Sequence, residues 1–168
     1  MTYLRLAVIG FFALFMSACG FSPMHTPAGI SDAAFNNVRT ELASGINIKD
    51  KEAAFWLEQS LKARLGNGDS AKHLLRLTPE ANRAGIGISG VDVATRYDLG
   101  LNVYYELIEI TSGKVLDSGS VRAVSTISAS TDPYALTAAE KATTRNLASN
   151  GADRVLVKIA GYYAGQNK

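Results

Sequence analysis

Tyr97-Asp98-Leu99-Gly100-Leu101-Asn102-Val103-Tyr104-Tyr105-Glu106-Leu107-Ile108-Glu109 is the stretch on which the fold turns. Tyr97, Leu99, Leu101, Val103, Tyr105 and Leu107 alternate with Asp98, Gly100, Asn102, Tyr104 and Glu106. A period of two carried this far describes a long β-strand with one buried and one wetter face, the habit of antiparallel sheets. Downstream, Thr111-Ser112-Gly113-Lys114 predicts a turn, and Val115 to Ser128 returns as another strand with Gly119 as a candidate bulge. Upstream, Ala71 to Arg83 predicts a strand with Leu75 and Leu77 on one face and Arg76 and Thr78 on the other. Pro79 has no N–H to give a ladder, so that part of the strand should meet an edge or a bulge.

Two helical patterns flank this region. Asp50 is a suitable N-cap, Gly66 a stop, and Ala54, Leu57, Leu61 and Leu65 recur at helical spacing between them, predicting a helix over 51–65. Trp56 belongs to the core or its edge. Asp132-Pro133 is a cap followed by proline at the first helical position. Leu136, Ala139, Thr143, Leu147, Val155, Ile159 and Tyr162 then hold phase, predicting one helix over about 133–163, with Asn150-Gly151 as a candidate kink. Asn36 to Leu42 reads as a short first strand. The order β-α-β-β-β-α predicts an α+β fold. Its form is a two-layer α/β sandwich, a mostly antiparallel four-stranded sheet with both helices packed on one face.

Composition narrows the classes. The chain has 168 residues, 47% of them apolar and 19% charged, which suits one globular domain and excludes a disordered chain. One cysteine cannot form an internal disulfide, and with two histidines it cannot build a His/Cys zinc cage, so no metal is expected. A net charge of +2 is too weak for a general nucleic-acid footprint.

The N-terminus sets the compartment. Met1 to Arg5 is a short positive segment, Leu6 to Phe15 an apolar run too short for a membrane span of ~20 residues. Met16-Ser17-Ala18-Cys19 then resembles the lipobox of bacterial lipoproteins. That resemblance implies a signal peptide over 1–18, cleavage before Cys19, and a covalent diacylglycerol and N-acyl group on Cys19. Each buried CH₂ contributes ~0.8 kcal/mol, so two or three acyl chains hold a protein firmly on a bilayer. No Asp follows Cys19 as an inner-membrane retention signal, which favours the outer membrane, facing the periplasm. Residues 19–34, with two prolines and few large apolar side chains after Cys19, read as the lipidated N-terminus and a tether, and the domain as 35–168.

Reactive motifs are sparse. Gly85-Ile86-Gly87-Ile88-Ser89-Gly90 spells G-x-G-x-x-G, but a strand rather than a helix follows, so a dinucleotide site is not expected. His25 and His73 have no triad partners nearby, and nothing selects a carboxylate pair among Asp92, Asp98, Glu106 and Glu109. No catalytic residue and no cofactor are expected. The basic residues carry more. A hairpin turning at Ser89-Gly90 would place Arg83 opposite Arg96, with Arg76 and Lys72 extending a stripe. Facing like charges are unfavourable across a strand pair unless an anion lies over them, and arginine forks match phosphate. The other reading is two solvated arginines, or each paired with Asp92 or Asp98.

These features in combination resemble the LPS-assembly lipoprotein (LptE) family, in an alphaproteobacterial form. The residues that carry the resemblance are Cys19-Gly20-Phe21-Ser22-Pro23-Met24, Ala94-Thr95-Arg96-Tyr97, Gly113-Lys114-Val115-Leu116, Ser118-Gly119-Ser120-Val121-Arg122, Asp132-Pro133-Tyr134-Ala135 and the final long helix. The resemblance implies a non-catalytic outer-membrane lipoprotein. Such a protein plugs the LptD β-barrel, assists its assembly, and helps deliver lipopolysaccharide to the outer leaflet. It also implies lipopolysaccharide contact through basic residues near the second hairpin, for which Arg83 and Arg96 are the matching positions. A further basic position of enterobacterial members, near the start of the last helix, falls on Ala138 and Ala139, with Lys141 the nearest cation. Two other classes fit the same anchor and size. One is an adaptor lipoprotein regulating another envelope complex, such as a cell-wall synthase. The other is a lipoprotein hydrolase, which would need Glu106, Asp98 or His73.

Overall fold

The computed structural model describes residues 35, 37–65, 71–88 and 94–166. The expected signal peptide over 1–18, Cys19, the expected tether and the expected turn at Ser89-Gly90 lie outside them. The elements are β1 (Val38–Leu42), a 3₁₀ turn (Ile48–Asp50), α1 (Lys51–Leu65), β2 (His73–Ile88), β3 (Ala94–Glu109), β4 (Val115–Ser128) and α2 (Pro133–Gln166). The sheet order is β1-β2-β3-β4. β1 and β2 are parallel, joined through α1, and the other two pairs are antiparallel. The fold is therefore α+β, with a mixed, mostly antiparallel sheet.

The period-two pattern acts as expected. Leu99, Leu101, Val103, Tyr105 and Leu107 of β3 are buried with Leu75 and Leu77 of β2 and Val121 and Ala123 of β4. Against this face lie Leu57, Leu61 and Leu65 of α1 and Leu147, Val155 and Ile159 of α2. The alternate residues point to the other face, where Arg96, Tyr104, Arg122 and Thr126 are exposed. Trp56 sits at the core edge, with Arg145 of α2 over its ring at 4.6 Å.

The structure corrects several boundaries. β2 and β3 both reach further toward their hairpin, because Gly85 and Ile86 pair with Tyr97 and Arg96 instead of forming a loop. Gly87 takes φ 67°, a left-handed conformation that glycine adopts without a Cβ penalty. α2 runs unbroken through Asn150-Gly151 to Gln166. Gly151 is buried, and a Cβ there would sit 3.3 Å from Val103 and 3.7 Å from Leu57. The glycine marks a close approach of α2 to the sheet, not a break in the helix. Gly119 is not a bulge either. It pairs with Tyr105, whose ring covers it, and the register shift lies at Leu107/Ile108, opposite Leu116.

Pro79 does meet an edge. β1 ends at Leu42, opposite Leu77, so β2 is uncovered beyond that level. The next N–H on that side, from Ala81, donates to the buried Asp50 carboxylate at 2.7 Å. Asp132 caps α2 by accepting from the Tyr134 N–H at 2.9 Å.

Candidate functional site

The β2–β3 register separates the expected arginine stripe. Arg83 pairs with Leu99, and Arg96 with Ile86, so the two arginines are not opposite each other. The strands turn further along than Ser89-Gly90 would require, and the offset also puts the two side chains on different faces. Arg83 shares the face of buried Leu99, beneath α2, whereas Arg96 shares the outer face with Ile86 and Ser128. Strand alternation makes this an all-or-none consequence of an odd shift.

Arg83 is held between the layers. Its Nη1 lies 2.8 Å from Glu140 Oε1 of α2, and its guanidinium stacks 3.8 Å over the Tyr97 ring. It lines a cleft of about 540 Å³ with Lys49, Leu99, Glu140, Thr144 and Leu147. Arg76 lies on the outer face, 3.3 Å from Glu106 Oε2 on the neighbouring strand. Lys72 precedes β2, where its N–H donates to Asn37 and its carbonyl accepts from the Ile110 N–H, both at 2.9 Å. The level of Arg96 is ten residues along β2 from Arg76, roughly 33 Å at ~3.3 Å per residue. Lys72 lies further still, at the other end. Of the four expected cations, Arg96 alone is an exposed side chain at the hairpin end of the outer face.

Glu140 and Tyr97 were missed as partners of Arg83, though both were legible. Glu140 stands seven residues before Leu147, on the same face of α2, and Tyr97 shares parity with Leu99.

The residues weighed for catalysis have structural partners. Glu106 pairs with Arg76, Asp98 accepts from Thr126, and Glu109 accepts from Ser112. His73 Nδ1 lies 2.7 Å from the Tyr163 hydroxyl of α2, tying the helix end to the sheet. Burial holds His73 below the ordinary histidine range, against Glu109, which raises it, and with Lys72, which adds to the lowering. Burial also pushes the Tyr163 phenol up to about 12, helped by Tyr162. Tyr105 is raised by burial and then by the charge of Asp117, which accepts its hydroxyl proton at 3.3 Å. His25 and Asp92 lie outside the described residues. Among the described residues no three His, Cys, Asp or Glu side chains cluster as a metal site, and no helix is long and apolar enough to cross a membrane. Gly85 and Gly87 lie within β2, and β3 is the next described element, so the glycines do not open a helix.

No protein-family model matches the chain, and neither does any curated protein. Solved structures do. A Caulobacter crescentus protein provisionally described as a lipoprotein superposes with a TM-score of 0.65, at 21% identity, over 80% of this chain and 96% of its own. Rare lipoprotein B from Shewanella oneidensis gives 0.60 at 13% identity, over 78% of this chain and 98% of its own. A minor lipoprotein from Acinetobacter baumannii gives 0.55 at 15% identity, over 76% and 92%. The chain has the fold of these bacterial lipoproteins.

Proposed function

We propose that this chain is an outer-membrane lipoprotein of the LptE kind, anchored through acyl groups on Cys19. It plugs the LptD β-barrel from the periplasmic side, assists its assembly and helps deliver lipopolysaccharide to the outer leaflet. One observation carries the reading. A chain whose only cysteine stands at a lipobox-like site folds, over most of its length, like several lipoproteins of the bacterial envelope.

The reading assigns work to each part. The acyl chains hold Cys19 in the inner leaflet, and residues 20–34 give the domain reach. The polar outer face of the sheet, with Arg96, Asn102, Glu106 and Arg122, meets the hydrated lumen wall. Arg96 contacts lipid phosphates at the hairpin end, where an arginine fork suits phosphate oxygens. Arg83 is already committed to Glu140 and Tyr97, so it steadies the hairpin from beneath. No chemical step is involved: binding free energy stabilises the assembled barrel.

Depletion of the protein tests this. Lipopolysaccharide at the cell surface should fall, and the barrel should become protease-sensitive. Unchanged surface lipopolysaccharide after complete depletion contradicts it.

A further inference from the structure

We propose that the outer edge of β4, which pairs with no further strand among the described residues, is an interaction edge that takes an extended, acidic segment of a partner protein as a fifth strand. The inference stands on the edge itself and holds whichever envelope protein supplies the segment.

The two edges of the sheet are treated differently. The other edge is β1, a strand of only five residues, and where β2 runs on past it Pro79 offers no N–H and Asp50 takes the N–H of Ala81. Such devices keep an edge from pairing with other chains. β4 has none of them. It runs from Val115 to Ser128 with no proline and no lysine. Its acid, Asp117, is engaged by Tyr105, and Ser118-Gly119-Ser120 leaves the backbone open to approach. Antiparallel alternation carries the direction of the Ala81 N–H across the sheet. It leaves Ser118, Ser120, Arg122, Val124 and Thr126 with main-chain groups directed away from β3.

A groove of about 400 Å³ runs beside that edge, between β4 and α2. Val121 and Val157 form its apolar floor, and Arg122, Arg154 and Lys158 its rim. Asp153 also lines it but sits 3.0 Å from Arg64 Nη2. Among the described residues the three rim cations make no ion pair. Val157 is 56% exposed, a high figure for valine. Main-chain hydrogen bonds along the edge would give affinity, and alternate side chains entering the groove would give specificity.

The charge decides the occupant. In a symmetric pairing of two copies, each patch meets itself, which would bring Arg154 and Lys158 against their own mates. An incoming strand with acidic side chains on the groove side meets three cations instead.

Hydrogen exchange followed by mass spectrometry on the full-length lipidated protein in mild detergent tests this. The probe is a capped peptide alternating valine and glutamate, compared with one alternating valine and lysine. The acidic peptide should slow exchange over residues 118–126, and the lysine peptide should not. Ser120→Pro removes an outward N–H without touching the β3 ladder and should abolish the protection. The exposed pair Arg154→Glu/Lys158→Glu should weaken the acidic peptide by about tenfold. Equal protection by both peptides, or none from the acidic one, overturns the proposal. So does protection without any peptide, which would mean the edge is filled by a second copy or by the chain's own tether. Protection by vesicles of anionic phospholipid but not by peptide would mean a lipid surface, and overturns it too.

Discussion

Arg83 illustrates how one side chain is divided between structure and function. Its half-exposed ion pair with Glu140 and its stack on Tyr97 join the hairpin to α2. Exposed ion pairs contribute ~0.5–1 kcal/mol and surface cation–π contacts a similar amount. A double-mutant cycle with Arg83→Ala and Glu140→Ala, read by chemical denaturation, should therefore give a coupling of about 0.5–1 kcal/mol. In a lipopolysaccharide-binding assay, Arg96→Ala should weaken binding, while Arg83→Ala should leave it nearly unchanged. An equal loss from both would restore a shared anion site. His73 supplies a second residue-scale test. Its folded form favours the neutral ring, so the unfolded chain takes up the proton first as pH falls. Its contribution to stability is complete above the unfolded value of 6.5 and is lost as pH drops from there through the lower folded value. NMR titration should place its midpoint below 6.5, and Glu109→Gln, which removes the opposing charge, should lower it further.

At the scale of elements, α2 packs by way of small residues. Ala148, Gly151 and Ala152 are buried where the helix crosses the sheet, and a Cβ at 151 would sit a tight 3.3 Å from Val103. Gly151→Leu should cost about 1–3 kcal/mol through overpacking, measured as a shift of the denaturation midpoint. Gly151→Ala should be close to neutral, since the gain of ~1 kcal/mol in helix propensity offsets a tight contact. Local propensity makes Gly151 a candidate kink within the single long helix expected there, and the helix runs unbroken through it, with Gly151 packed close to Val103. The same division runs through the rest of the fold. The helix over 51–65 and the strand over 115–128 were legible because their apolar period is local. The hairpin was not, because its register depends on where the turn falls among Gly85, Gly87 and Gly90, which carry no side-chain pattern. An odd register error moves every side chain to the other face, and it moved Arg83 away from Arg96. Parity alone separates the expected cations: Arg83 is in phase with buried Leu75 and Leu77, whereas Arg76 and Arg96 are out of phase with the buried residues of their strands.

At the level of the whole molecule, the proposed lipid anchor on Cys19 would tie a two-faced domain to the membrane. Among the described residues one face of the sheet is covered by two helices, and the other exposes Arg96, Arg122 and Thr126 beside Ile86, Tyr104 and Val124. Cys19→Ala should block normal processing and release the protein from membranes on fractionation. Retention of a normally processed form on the membrane would remove the anchor from the account. The central claim concerns the partner. The most direct measurement is isolation of the lipidated protein from its own outer membrane in mild detergent, with mass spectrometry of what accompanies it. One-to-one recovery with a large β-barrel of the LptD kind is expected. Recovery with a cell-wall synthase, or with no partner at all, would contradict it.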